Sequence, residues 1–447
     1  MKKHVVIIGG GFGGIHSLFR MKKLIRAGEI KVTLVNKSNY HTFFPMLHEV
    51  ATASVDPYHA VKPIVKFKRY LNFQFIRGNV TALDLERRTV TLCDDCATCP
   101  ALPHCSIPKF TRTYKTEDLG VEIRKELTYD YLVLAPGSVP NTYGIEGVME
   151  HAYTFGSMRD AIEIRNHIFE CFEVVPLIED HLTRGRLLTF VVVGAGPTGV
   201  ELVCELHDLI HHTISQTHKG FDFNREVKIY LINAAERPLE GSADEVRDFA
   251  QQKLAGKRII VHNTTPVEKV VQGGLYAKGL GFIESETIIW TAGVRASDLL
   301  LQLPVEKDLW GRAIVGPELS LRGHSEVFII GDSAHVLGTR EKDSLPPSAQ
   351  AAVQEGRYVA LNIEADLRSK ARKGFRFHFL GDIVSLGGYY AGANLFGKVK
   401  FKGRLSWLLW KITYLRHLLV IQPFSRTMLD WFSDLAYDRE AMRLKLS

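Results

Sequence analysis

A chain of 447 residues has room for about three domain-sized units. Its 46% hydrophobic and 23% charged residues supply real cores and exclude extensive disorder and fibrous architectures. The formal charge of +7 is mild for this length; it fits an ordinary solvated surface or, where the cations cluster, an anionic partner.

Met1-Lys2-Lys3 and the apolar residues after it superficially match a signal peptide. Glycines interrupt that run at once, however, and no small-residue cleavage site follows before Arg20-Met21-Lys22-Lys23. No stretch has the uncharged apolar length of a membrane-spanning helix. The chain is therefore expected in the cytosol, where thiols stay reduced.

Val5-Val6-Ile7-Ile8 reads as a strand that enters Gly9-Gly10-Gly11-Phe12-Gly13-Gly14 and then a helix. In this G-x-G-x-x-G pattern Gly9, Gly11 and Gly14 let the backbone turn tightly and approach a pyrophosphate, which rests on the helix N-terminus. The strand Lys31-Val32-Thr33-Leu34-Val35 ends at Asn36, where a dinucleotide fold places an acid for ribose hydroxyls. Tyr129 to Ser138 reads as a buried strand and a turn through Pro136-Gly137.

Before it, Cys93, Cys96, Cys99 and Cys105 gather four of the six cysteines in an insertion, residues 93–105, on a hairpin. Four thiolates at this density suit zinc, ahead of an iron–sulfur cluster; disulfides are disfavoured in a reduced compartment. Cys171 and Cys204 fall on helices and read as packing residues.

A linker and helix occupy roughly 143–183, after which Phe190-Val191-Val192-Val193 enters Gly194-Ala195-Gly196-Pro197-Thr198-Gly199. This second copy, with Gly194, Gly196 and Gly199 in the same roles, carries Glu201 in the first turn of its helix. Its next strand, Lys228 to Ile232, ends at Asn233, again in place of an acid. A strand pair around 259–261 and 280–283 leads to an exit strand, Thr287 through Ala292 and Gly293. The chain then returns to the first unit through Val327-Phe328-Ile329-Ile330-Gly331-Asp332 and a helix over 349–365. Two framed loops imply two dinucleotides and electron transfer between them.

Past Gly397, Lys398, Lys400, Lys402 and Arg404 precede Trp407 to Ile421, a helical pattern with Trp407, Leu408, Trp410, Ile412 and Tyr414 on one face and Lys411 able to snorkel. A second apolar segment surrounds Trp431. Tryptophans beside cations suit a helix lying in a membrane interface; core packing or dimerisation is the alternative.

Together these anchors resemble the two-dinucleotide-domain flavoprotein disulfide-reductase superfamily, and within it the type II NADH:quinone oxidoreductases. The most specific matches are Asn39-Tyr40-His41 with Phe44-Pro45, Trp290-Thr291-Ala292-Gly293-Val294, Ile330-Gly331-Asp332, and Pro346-Pro347-Ser348-Ala349-Gln350-Ala351-Ala352-Val353-Gln354-Glu355. The resemblance implies an α/β fold of two Rossmann-like domains, the second inserted into the first. The FAD domain would span 1–142 and 295–397, the NAD(P)H domain 143–294, and a C-terminal amphipathic membrane-docking segment 398–447. It implies FAD held by the first loop with Asn36, Lys37, His41, Gly137, Asp332, Ala349 and Gln350. NADH falls to the second loop with Asn233, Ala292 and Gly293. Quinone is expected beside Gln350 and Gln354, and Glu201 near the nicotinamide and flavin.

The implied activity is non-proton-pumping transfer of two electrons from NADH through FAD to quinone, by a peripheral enzyme on the cytoplasmic face of the cell membrane. The implied partners are NADH, membrane quinone and an anionic lipid surface, with no nucleic acid; a homodimer stays open. Two other readings remain: an NAD(P)H reductase serving a protein or iron–sulfur partner, and a nucleotide-dependent interaction protein with vestigial turnover. Disulfide-reducing and sulfide-oxidising relatives need cysteines that are missing here, since 39–53 has none and none follows Cys204. Asn233 lacks the carboxylate that repels a 2′-phosphate, and Arg237 lies close by in sequence.

Overall fold

The computed structural model describes residues 2–93, 124–218, 222–337 and 344–418. The first sheet is centred on strand Lys3–Ile8, whose Val5, Val6, Ile7 and Ile8 are all buried. It pairs in parallel with Ile30–Asn36 on one side and Tyr131–Leu134 on the other; Gln74–Arg77 and His324–Ile329 extend the sheet, and Ser320–Leu321 closes one edge antiparallel. Parallel strands covered on both faces read as unbroken apolar runs, which is why this strand was legible. Helix α1 (Phe12–Arg20) follows it.

The second sheet repeats the plan around Thr189–Val193, parallel to Lys228–Ile232 and Thr287–Trp290, with Ile260–His262 and Tyr153–Thr154 at the edges. The strand pair expected from 259–261 and 280–283 does not form. Ile260–His262 joins this parallel sheet, whereas Gly281–Glu284 pairs with Gly274–Ala277 in a separate three-stranded sheet. The intervening strand is short and rich in glycine and alanine, so its apolar signal is weak.

Joined to the core of the second sheet is α2 (Leu47–Ala51), all five residues buried, packed on α3 (Met158–Val174) and on α4 (Pro197–Asp208), which follows the second glycine loop. Further along come α5 (Asp244–Gly256), α6 (Ala349–Leu367), which packs along α1, and α7 (Arg404–Leu418). Gly356 makes the α1–α6 crossing close, since a Cβ there would fall 2.4 Å from the Gly13 carbonyl oxygen.

A third antiparallel sheet, Gly381–Ser385, Ala391–Leu395 and Val399–Gly403, sits against α4, α5 and α7. The boundary expected at Gly397 thus falls inside a hairpin. Lys398 forms its turn, and Lys400 and Lys402 belong to a strand rather than to the tail helix. Strands Thr89–Cys93 and Arg124–Thr128 pair with Cys93 opposite Arg124, so 94–123 is the connection between them; Cys96, Cys99 and Cys105 lie outside the described residues. Among the described residues no helix is long and apolar enough to cross a membrane.

The face assigned to α7 from its sequence needs correction. Trp410 is fully buried and its ring lies 6.0 Å from that of His48, while Lys411 does not snorkel but reaches Glu49 at 2.6 Å. The exposed stripe is Leu405, Leu408 and Ile412, each about half exposed. Helical spacing groups residues into faces, but the body of the protein decides which face it covers. Side chains from Tyr414 onward, and the segment around Trp431, lie outside the described residues.

Candidate active site

The two glycine loops are built alike. Gly9 and Gly194 adopt φ of +104° and +103°, a left-handed geometry that disfavours side chains, and each donates its N–H to the neighbouring strand, at Val35 and Ile232. A Cβ on Gly9 would strike the Ala135 carbonyl oxygen at 2.0 Å, and one on Gly194 the Ala292 Cα at 2.6 Å. Gly14 and Gly199 are as tight, each with a would-be Cβ 1.9 Å from the first glycine's carbonyl oxygen. The middle glycines differ. Gly11 and Gly196 have nothing within 4 Å of a Cβ, and as N-caps of α1 and α4 they offer no capping side chain. Each loop therefore leaves open space before uncapped helix amides, a fit for the pyrophosphate of a dinucleotide.

Asn36 and Asn233 brace their own loops. Asn36 Oδ1 accepts from Gly10 N–H at 2.8 Å, and its Nδ2 donates to the Ser38 carbonyl at 2.9 Å. Asn233 Nδ2 donates to the Ala235 carbonyl and to Asn263 Oδ1, both at 3.0 Å. A carboxylate could do neither donation. Arg237 faces α5, where Asp248 and Gln251 hold its guanidinium.

Around the first loop, buried His41 contacts the Gly10 carbonyl at 2.8 Å and stands edge-on to Phe12; burial pushes its pKa down to about 4, so the ring is neutral. Lys37 is exposed beside Asn36. Asp332 accepts from Ser138 Oγ at 2.7 Å, and Ser333 ties the Gly137 carbonyl at 2.6 Å. Burial raises the Asp332 pKa. Glu355, also buried, accepts the Gly331 N–H at 2.6 Å, and burial lifts its carboxyl to about 7. Around the second loop, Gly293 is left-handed and its carbonyl takes the Asn141 N–H at 3.0 Å.

Gln350 and Gln354 sit one turn apart on α6, with Ala349 opening the helix. Both carboxamides grip one stretch of backbone. Gln350 donates to the Gly381 carbonyl and accepts from Leu380 N–H, both at 3.1 Å; Gln354 donates to the His378 carbonyl at 2.9 Å and accepts its N–H at 3.0 Å. At the other end of strand Gly381–Ser385, Ser385 N–H donates to Glu201 Oε1 at 3.1 Å. The backbone positions that Gln350 and Glu201 hold, Gly381 and Ser385, lie roughly 13 Å apart along the strand. The strand is the link between them.

Glu201 is buried, and desolvation lifts its pKa to about 7 despite the lowering effects of His48 and the Ser385 N–H. His48 Nδ1 lies 3.5 Å from Glu201 Oε2. Next on α4, Glu205 accepts from Ser54 Oγ at 2.9 Å. Sequence reasoning passed over His48 and Glu49 because it read 39–53 chiefly for cysteines. The available signal was a His-Glu pair between the apolar residues Leu47 and Val50.

Two matched dinucleotide cradles, one sheet unit nested within the other, define a two-nucleotide oxidoreductase. Residues 3–356 match the family model for pyridine nucleotide-disulphide oxidoreductases. The chain is 32% identical over 442 residues to the type II NADH:quinone oxidoreductase Ndh of Mycobacterium tuberculosis, covering 96% of this chain and 87% of that one. It is 28% identical over 400 residues to the type II NADH:quinone oxidoreductase of Staphylococcus aureus, covering 89% and 90%. The fold matches NDH2 from Plasmodium falciparum, solved in complex with NADH, with a TM-score of 0.83 and 20% identity over 99% of this chain and 100% of that chain. The chain thus belongs to the type II NADH:quinone oxidoreductases within the pyridine nucleotide-disulphide oxidoreductase family.

Proposed function

We propose that this protein is a flavoenzyme that passes two electrons from NADH through FAD to a membrane quinone without pumping protons. The observation that carries this reading is the pair of matched open cradles at Gly11 and Gly196, joined to a polar site built from Glu201, Gln350 and strand Gly381–Ser385. The family to which the chain belongs supports the same reaction. The sequence divides as FAD domain 1–142 and 295–397 and nicotinamide domain 143–294, with the third sheet bridging to the tail.

FAD bound at Gly9, Gly11 and Gly14 supplies the two-electron redox chemistry between nicotinamide and quinone. Asn36 and His41 hold the loop in shape, and Asp332 with Gly137 and Ser138 anchors the polar chain of the cofactor. The nicotinamide substrate lies on Gly194, Gly196 and Gly199, with Asn233 at its ribose. The glutamines position segment 378–381 as the wall of the quinone pocket, and Glu201, at the far end of the strand that continues this wall, helps proton movement toward the quinone.

Exposed Leu380 and Phe396 form an apolar rim next to the glutamine pair, and exposed Tyr389 meets Trp407 of α7, the helix that also carries the exposed Leu405, Leu408 and Ile412. With Lys398 and Lys402 nearby, this rim suits docking on the cytoplasmic face of an anionic membrane, where quinone is dissolved. The cysteines at 93, 96, 99 and 105 are read as a structural zinc site. Anaerobic mixing with NADH and then quinone tests the reaction, and metal analysis of the purified protein tests the zinc.

A further inference from the structure

Histidine is concentrated at one point of the second nucleotide unit that the redox chemistry leaves unused. Helix α4 ends at Asp208 and runs on into a π-helical stretch, Leu209–Ile214. The sequence here is His207-Asp208-Leu209-Ile210-His211-His212. On a regular α-helix His207 and His212 would point about 140° apart, since each residue turns the chain by about 100°. The wider i→i+5 turn of a π-helix brings residues five apart towards one face, and such turns gather at functional sites.

The three side chains do meet. His207 Nδ1 lies 3.1 Å and His212 Nε2 3.7 Å from Asp208 Oδ1, and one ligand atom from each residue falls within 4.8 Å of the others. Ligand atoms about 2.0–2.1 Å from a tetrahedral zinc stand about 3.3 Å from one another, so the two shorter edges already have the right size. The His211 ring stacks on that of His207 at 4.5 Å and fixes its plane. Asp208 is 4% exposed; Lys257 pairs with its Oδ1, while Oδ2 is buried without a hydrogen-bond partner among the described residues. Gly387 closes over that oxygen, where a Cβ would fall 2.3 Å away. An orphaned carboxylate oxygen calls for a donor or a cation. The carboxylate torsion is broad and two-fold, so Lys257 can keep one oxygen while a metal takes the other. The His212 side chain, 69% exposed, gives an ion its way in.

We propose that His207, Asp208 and His212 form a binding site for a zinc-like divalent transition-metal ion, filled reversibly from solvent. Two imidazoles and one carboxylate are a ligand set that zinc accepts, with a fourth position left for water. Lys257 sets the strength of the site: its ammonium balances the charge of Asp208 in the free protein and repels the ion in the bound one. The site lies at the opposite end of α4 from Gly196, and none of its ligands is a cysteine.

The test is isothermal titration of untagged, full-length, FAD-loaded protein with Zn²⁺ in chelator-free buffer, native against His212→Ala. His212 is exposed and away from the redox site, so the variant should keep its FAD content. Native protein should take up one zinc that His212→Ala binds more than about 10²-fold more weakly, beyond the loss caused by removing an outer-shell partner. The cysteines at 93, 96, 99 and 105 are present in both proteins, so zinc held there cancels in the comparison. Lys257→Met should tighten the same site by about tenfold, because a like charge beside the ion is gone. If that variant fails to fold, His207→Ala takes its place, with the same loss expected as for His212→Ala. Equal zinc uptake and affinity in native protein and His212→Ala overturns the proposal. So does an unchanged affinity in folded Lys257→Met, or in His207→Ala where that variant replaces it.

Discussion

Lys411 and Glu49 stand 362 positions apart in sequence, yet Lys411 Nζ lies 2.6 Å from Glu49 Oε1 with both side chains largely withdrawn from solvent. This ion pair, beside the Trp410–His48 ring contact, fastens the tail helix to the short helix that also faces Glu201. The tail is therefore part of the site's framework before it is anything else.

Removing one member of that pair should leave an uncompensated buried charge. Lys411→Met should lower unfolding stability by about 3 kcal/mol, and combining it with Glu49→Gln should recover part of the loss. A double-mutant cycle by chemical denaturation measures this, and purely additive effects would show that the pair contributes little.

Membrane attachment and core packing separate on α7. Charging the outer stripe with acids, Leu405→Asp with Leu408→Asp and Ile412→Asp, should release the protein from anionic vesicles while FAD content and stability persist. Trp410→Ala should instead destabilise by about 3–5 kcal/mol, as expected when a large buried ring is removed. Vesicle flotation beside thermal unfolding distinguishes them. Unchanged flotation of the triple variant would place docking elsewhere.

For the nucleotide, Asn233→Asp should widen the preference for NADH, since a carboxylate repels a 2′-phosphate. It should also weaken the fold by about 1–3 kcal/mol, because the donations to Ala235 and Asn263 are lost. Steady-state rates with NADH and NADPH check the first effect. An unaltered NADPH rate would mean that Asn233 lies away from that ribose.

Burial raises the Glu201 pKa from 4.5 to about 7, so the folded protein binds this proton more tightly than the unfolded chain does. The associated stability is present below pH 4.5 and is lost as pH rises through about 7. Glu201→Gln has no such proton to lose. Its stability relative to the native protein should therefore grow across this window and level off above it. Unfolding curves at a series of pH values test the sign, and a constant difference would mean that Glu201 is ordinary in its ionisation.

The two glycine loops were legible because strand, turn and helix each leave a local signature: Val5 to Ile8 is an unbroken apolar run, and Gly9 and Gly194 occupy backbone shapes that few other residues accept. Asn36 and Asn233 were found in position, but not in action. Their partners are the Gly10 N–H, the Asn263 side chain and carbonyls whose direction only the folded loop sets. The face of α7 was misjudged for the same kind of reason, since Trp410 turns inward to His48 and Glu49, far away in sequence. His48 itself gives little local signal, because a histidine among apolar residues reads as packing until Glu201 is seen beside it.

The central claim is tested most directly by anaerobic stopped-flow of the purified, yellow protein. NADH should bleach the flavin absorbance rapidly, and a soluble quinone added afterwards should restore it completely. A folded protein without flavin, or a bleached flavin that quinone leaves reduced, would contradict the account.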